Sequence, residues 1–216
     1  MKESIKNKKR RVSNVVEILK KEYPDSKCSL EFKNPFQLVV STILSAQCTD
    51  ERVNKVTKGL FAKYPTAYDF AKLSIDIIKK EIYSTGFYNN KAKSIKGMSL
   101  EIVNKYNGEL PVSIDKLVKL PGVGRKTANV VLGNVFDIPS LVVDTHVTRI
   151  SNLLKFVNNK DAVKIEHKLC QIVEKVDWTL FAHLLIDHGR AVCIANRPKC
   201  DKCTISSYCP SSRIAS

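Results

Sequence analysis

Apolar residues recur at spacings of three and four along nearly the whole 216-residue chain, which is the period of a helix with one buried face. Val12, Val15, Val16 and Leu19 predict a first amphipathic helix. Pro35, at a first helical position, opens a second, with Phe36, Val39, Val40, Ile43 and Leu44 inward. Asp50 is placed to cap a third, carrying Val53, Val56, Leu60 and Phe61. Ser74 caps a fourth through Ile75, Ile78 and Ile82. Gly86-Phe87-Tyr88-Asn89 reads as a turn, after which Ala92, Ile95, Met98, Ile102 and Val103 resume a helix. Pro111 and Ser113 open a short helix with Ile114, Leu117 and Leu120. Pro139–Asp144 reads as extended, and Asp144 then caps a helix through Val147, Ile150, Leu153 and Leu154. Helices over Asp161–Val173 and Trp178–His188 complete the pattern. Period-two alternation is rare, glycine is scarce, and no fixed repeat or low-complexity linker divides the chain, so the expected fold class is all-α.

The stretch Leu120–Thr127, Leu-Pro-Gly-Val-Gly-Arg-Lys-Thr, interrupts this periodicity. Pro121, Gly122 and Gly124 make a tight turn, and a helix-forming run from Lys126 follows. Missing side chains let a phosphate approach the backbone N–H groups of Gly122, Val123 and Gly124, where the helix dipole is positive. The pattern reads as a helix–hairpin–helix turn. A Walker loop is excluded because its Gly-x-x-x-x-Gly-Lys spacing is absent. A dinucleotide fingerprint is excluded because no strand precedes the turn. Lys126 falls in the first turn of the second helix, where the positive helix end and Arg125 both disfavour an ammonium. That suits a lysine nucleophile. Taken alone, the stretch suits a phosphate-facing lysine as well.

Composition narrows the partner. The formal net charge is +15 with a pI near 9.5, and 44% of residues are hydrophobic. A packed globular chain this basic points to a polyanion. The most apolar stretch, Phe36–Ala46, is too short and polar to span a membrane. The basic N-terminus (Lys2, Lys6, Lys8, Lys9, Arg10, Arg11) lacks the apolar core of a secretory signal. Nucleic acid is the expected partner and the cell interior the expected compartment.

Seven cysteines are present, and Cys28, Cys48 and Cys170 read as small buried hydrophobes. Cys193, Cys200, Cys203 and Cys209 instead form a C-x6-C-x2-C-x5-C run. In a reducing compartment such a run binds metal. One close pair among four thiolates suits a [4Fe–4S] cubane or a zinc site. Arg190, Arg197 and Lys199 flank the run and are candidate phosphate contacts. Asp144 in Val-Asp-Thr-His is a helix cap and also a second chemical candidate. A capping carboxylate stays ionised and can accept a proton from an amine or stabilise a sugar cation. Thr145 and His146 are candidate phosphate contacts or local caps. Gln47, between two helices, and Phe87, on a turn, are candidate wedges into DNA, though capping and packing respectively are the commoner roles of such residues. His183 and His188 read as members of a packed helix, and Trp178 as core.

Together, Ser45-Ala46-Gln47, Gly86-Phe87-Tyr88-Asn89, Leu120–Ala128, Val143–His146, His188-Gly189-Arg190 and the four cysteines resemble the endonuclease III family of DNA-repair glycosylases. The resemblance spans nearly the whole chain. It implies a six-helix lobe over 28–138 and a discontinuous cluster lobe from 1–27 plus 139–216, with DNA in a cleft between them. It implies a bifunctional DNA glycosylase and AP lyase that excises oxidised pyrimidines, with Lys126 as nucleophile and Asp144 as its catalytic partner. It further implies a [4Fe–4S] cluster on Cys193, Cys200, Cys203 and Cys209. Gln47 and Phe87 fall on positions of DNA-inserting loops, and Leu120 lies in the family's hairpin. Damaged double-stranded DNA is the implied partner of a cytoplasmic monomer, nucleoid-associated in a bacterium. The sibling adenine glycosylases usually lack the lysine, which this chain has.

Overall fold

A computed structural model describes residues 3–214; Lys2 of the basic N-terminus lies outside them. Its helices are α1 (Ile5–Glu22), α2 (Pro35–Leu44), α3 (Asp50–Lys63), α4 (Ala67–Lys72), α5 (Ile75–Ile82), α6 (Tyr88–Tyr106), α7 (Ile114–Leu117), α8 (Arg125–Val135), α9 (Thr145–Leu153), α10 (Ala162–Cys170) and α11 (Trp178–Ala191). No strand occurs among the described residues, so the fold is all-α. The chain divides into two compact units, one of Met1–Lys27 with Pro139–Ser216, the other Cys28–Ile138.

Helix starts follow the capping chemistry of the sequence. Side chains of Ser4, Asn34, Thr49, Thr66, Ser74, Asp144 and Asp161 accept hydrogen bonds from first-turn amides. Each such cap stabilises its helix by about 1 kcal/mol. Thr49, not Asp50, caps α3; Asp50 is the first helical residue, and its Oδ2 accepts from Ser29 Oγ. Thr49 wins because its extended backbone (φ −72°, ψ 146°) brings its hydroxyl to the Arg52 N–H. The short α4 is an element that apolar spacing alone did not separate; a Thr66–Asp69 capping box defines it.

In the Cys28–Ile138 unit, α2 is buried on every side: Gln37, Ser41 and Thr42 are as enclosed as its apolar residues. It packs against α8 and α3, while α6 packs against α4 and α5. Phe70, Ile78, Ile82, Ile95, Met98 and Leu117 are fully buried. Burial stabilises by roughly 1.5–3 kcal/mol per large apolar side chain.

In the other unit, α1 begins seven residues before Val12, so the basic N-terminal run is helical. Two of its cations act internally. Arg11 donates to the carbonyls of Leu154 and Tyr208, pairs with Glu3 and lies 4.7 Å over the Phe156 ring. Lys8 Nζ donates to the Phe156 carbonyl. Trp178 is half-buried rather than core, because its Nε1–H reaches out to the Val173 carbonyl. Cys28, Cys48 and Cys170 are likewise half-buried. Helix α11 presses on α9 at Gly189, where a Cβ would sit 2.6 Å from His146 Nδ1 and 3.0 Å from Ile150 Cδ1.

Gly189→Ala should therefore lower stability by about 1–3 kcal/mol, whereas Gly59→Ala, on α3 with nothing within 4 Å of its Cβ position, should raise it by about 0.5–1 kcal/mol. Urea unfolding of the two variants checks this; equal shifts would contradict the close approach at Gly189.

Candidate nucleic-acid interface and thiol cluster

The Cys28–Ile138 unit gathers the glycine turn and both candidate wedges on one pocket. Gln47, Phe87, Lys91, Ser94, Gly122 and Thr127 are among the residues lining it. Gln47 follows α2 with φ 54°, and Phe87 precedes α6 with φ 48°. Both are in the left-handed region, which is sterically costly for residues with a Cβ. Both are exposed, Phe87 at 63%. A large apolar ring so exposed on a turn is available to pack against a ligand.

The glycine turn lies between α7 and α8. Gly122 has φ 76°, and a Cβ there would meet Ser94 Cβ at 2.5 Å. Only glycine satisfies both the backbone conformation and the close approach to α6. Leu120 and Val123 are buried, at 2% and 4% exposure, so their side chains anchor the turn in the core and are not surface contacts. The Val123 N–H also donates to the Leu120 carbonyl, which removes it from the set of amides facing outward. Gly124 is the N-cap of α8 and supplies no side-chain acceptor. First-turn amides have no partner within their own helix, so those of Lys126 and Thr127 lie open to an anion at the positive helix end. The Lys126 side chain is exposed in that turn, beside exposed Arg125.

The second unit holds Asp144. Its Oδ1 accepts the Val147 N–H at 2.8 Å as the cap of α9. Its other carboxylate oxygen has no hydrogen bond among the described residues. Thr145 is exposed, and His146 is half-buried one residue on. Burial, above all, lowers the His146 pKa; Asp144 opposes this, while Arg149 and Arg190 add to it. Arg149 Nη2 lies 3.4 Å from His146 Nδ1, which makes that nitrogen the acceptor and leaves the proton on Nε2.

Cys193, Cys200, Cys203 and Cys209 line a single cavity together with Ile150, His188 and Ile205. Burial first, and then the negative charge of Cys193, Cys209 and Cys200, pushes the Cys203 thiol up to about 11. Cys209 is raised too, again by burial before its neighbours, with Arg11 opposing. Four thiols within electrostatic reach in an apolar cavity can all ionise only around a cationic centre. The four sulfurs line this one cavity and are the donor set there that could hold a metal centre.

Residues that sequence reasoning missed brace this wall. Arg149, on the helix that Asp144 caps, donates to the Cys193 carbonyl at 2.5 Å and approaches its Sγ at 3.5 Å. His188 is 1% exposed; its Nε2 lies 3.4 Å from Cys203 Sγ and its Nδ1 3.1 Å from the Tyr23 hydroxyl. Tyr23 donates in turn to Glu22. Their sequence signals were an arginine one turn from His146 and, in the His188-Gly189-Arg190 motif, a histidine five before Cys193. Of the flanking cations, Arg197 is exposed, Arg190 is exposed, and Lys199 Nζ donates to the Ala191 carbonyl at the end of α11. Lys199 thus caps a helix, with its charge still on the surface. No described helix is long and apolar enough to cross a membrane.

Residues 40–175 match the family described as HhH-GPD superfamily base excision DNA repair protein. An endonuclease III of Synechocystis sp. is 48% identical over 208 residues, 96% of this chain and 95% of that protein. A solved non-covalent endonuclease III–DNA complex superposes with a TM-score of 0.90 at 41% identity, covering 94% of this chain and 96% of the other. A trapped endonuclease III–DNA covalent intermediate, an estranged-adenine complex, gives the same TM-score, identity and coverage.

Proposed function

The chain belongs to the endonuclease III family of the HhH-GPD superfamily, and from that membership we propose a residue-level account of its chemistry. It is a bifunctional base excision repair enzyme, a DNA glycosylase and AP lyase acting on damaged duplex DNA. The substrates we assign are oxidised pyrimidines. The observation that carries the account is the open start of α8, where an exposed lysine stands beside uncapped amides.

A base stacked in a duplex is beyond reach of any nucleophile, so it must be extruded, at a cost of a few kcal/mol. Gln47 and Phe87, both exposed on turns, fill the vacated stack in this reading. The amides at the start of α8 hold a backbone phosphate, which brings the adjoining deoxyribose to Lys126. The uncharged amine attacks C1′ and the base leaves with the glycosidic electron pair. The C1′–N bond then becomes an iminium as the sugar ring opens. The iminium acidifies the C2′ proton; its loss expels the 3′ phosphate by β-elimination and breaks the strand. Asp144, with one oxygen fixed in the cap and the other unengaged, supplies negative charge as the sugar becomes cationic. His146 and Thr145 at the start of α9, with Arg190 and Arg197, contribute phosphate contacts.

Cys193, Cys200, Cys203 and Cys209 would hold a [4Fe–4S] cluster. When bound, it cross-links the C-terminal loop through four thiolates. Arg149 and Arg11 grip the two ends of that loop, at Cys193 and Tyr208.

Lys126→Gln should retain binding to lesion-bearing duplex while base release and strand cleavage fall by more than about 100-fold. Unchanged cleavage in that variant would refute the assignment. Purified protein should contain iron and acid-labile sulfide in equal amounts, and Cys203→Ser should lose both; zinc in their place would overturn the cluster.

A further inference from the structure

Lys91 on α6 is 5% exposed, and the mechanism above gives it no part. Its Nζ donates to the Leu44 carbonyl at 2.8 Å and to the Thr85 carbonyl at 2.8 Å. No carboxylate pairs with it among the described residues. Burial lowers its pKa. A lysine is an expensive way to fill an apolar space, since a buried ammonium loses its hydration. The two acceptors explain the choice. Leu44 is the last residue of α2, three before Gln47, and Thr85 ends the 3-10 turn Tyr83–Thr85, two before Phe87. Both carbonyls lie at helix C-termini, where partial negative charge favours a cation. Charge-assisted bonds to both tie the two loops to one side chain.

We propose that Lys91 is a positioning residue for base extrusion, its ammonium locking the Gln47 and Phe87 loops in one register across the pocket that all three line. The proposal rests on the glycosylase reading. Each loop carries a non-glycine residue in the left-handed region, Gln47 at φ 54° and Phe87 at φ 48°. Such conformations persist only where the surroundings over-determine them. The clamp supplies that constraint at the residue from which each loop departs. Lys91 touches no reacting atom. It acts through the wedges, so its effect is confined to substrates in which a stacked base must be displaced.

The test compares two reactions of the intact protein: release of an oxidised pyrimidine from duplex DNA, and β-elimination at a preformed abasic site in single-stranded DNA. Lys91→Met keeps the stem and removes the ammonium; Lys91→Gln keeps a neutral donor; Lys91→Arg keeps the charge. In any variant with the wild-type circular dichroism spectrum, duplex excision should fall, by at least about tenfold for Lys91→Met. Single-strand elimination should stay within about twofold, and Lys91→Arg should recover part of the duplex rate. Equal loss on both substrates, or an unchanged duplex rate, overturns the proposal. So does failure of all three variants to fold, which would make Lys91 a folding residue. Wild-type protein inactive on both substrates would instead sink the glycosylase–lyase reading itself.

Discussion

Residue 122 can have no side chain. A side chain there would be strained by the backbone φ of 76°, and its Cβ would lie only 2.5 Å from Ser94 Cβ. That exclusion shapes the hairpin. The turn lies flat on α6, Leu120 and Val123 drive it into the core, and α8 begins at a glycine that offers no cap. A helix start left open in this way has a standing affinity for anions. Lys126, in the first turn, is carried to the same place. The chemistry of the chain depends on a backbone arrangement that a single methyl group would spoil.

The second unit answers a different physical problem, how to bring four thiols together. Burial first, and then the neighbouring sulfurs, oppose ionisation of Cys203 and Cys209. The chain counters with cations at both ends of the loop: Arg149 at Cys193 and Arg11 behind Tyr208. Arg149 also touches His146 and lies on the helix that Asp144 caps. One guanidinium therefore touches both the thiol loop and a candidate phosphate contact, from the helix that Asp144 caps. The N-terminal helix belongs to this same unit, because Arg11, Lys8 and Lys20 tie it to residues more than 140 positions away.

Apolar spacing and cap residues made most helices legible, since both are local properties of the chain. The cap at Asp144 and the opening of α8 were readable for that reason. What escaped was set by contacts distant in sequence. Arg11 and Lys8 look like solvated charge until Phe156 and Leu154 come beside them. Lys91 reads as one more surface lysine on a basic helix, and its burial depends on carbonyls 47 and 6 residues away. Val123 was read as one of the amides facing a phosphate; here its side chain, with that of Leu120, anchors the turn. The contacts of His188 and Arg149 with the cysteines form only when the loop folds against them.

The central claim is that the nitrogen which bonds to deoxyribose belongs to Lys126. The most direct measurement is reduction of the reacting complex with borohydride, digestion of protein and DNA, and sequencing of the modified peptide by mass spectrometry. The account predicts a sugar remnant on Lys126 and on no other amine. A remnant on Lys91, on another lysine or on the N-terminus, or no adduct at all with a duplex that the enzyme cleaves, would contradict it.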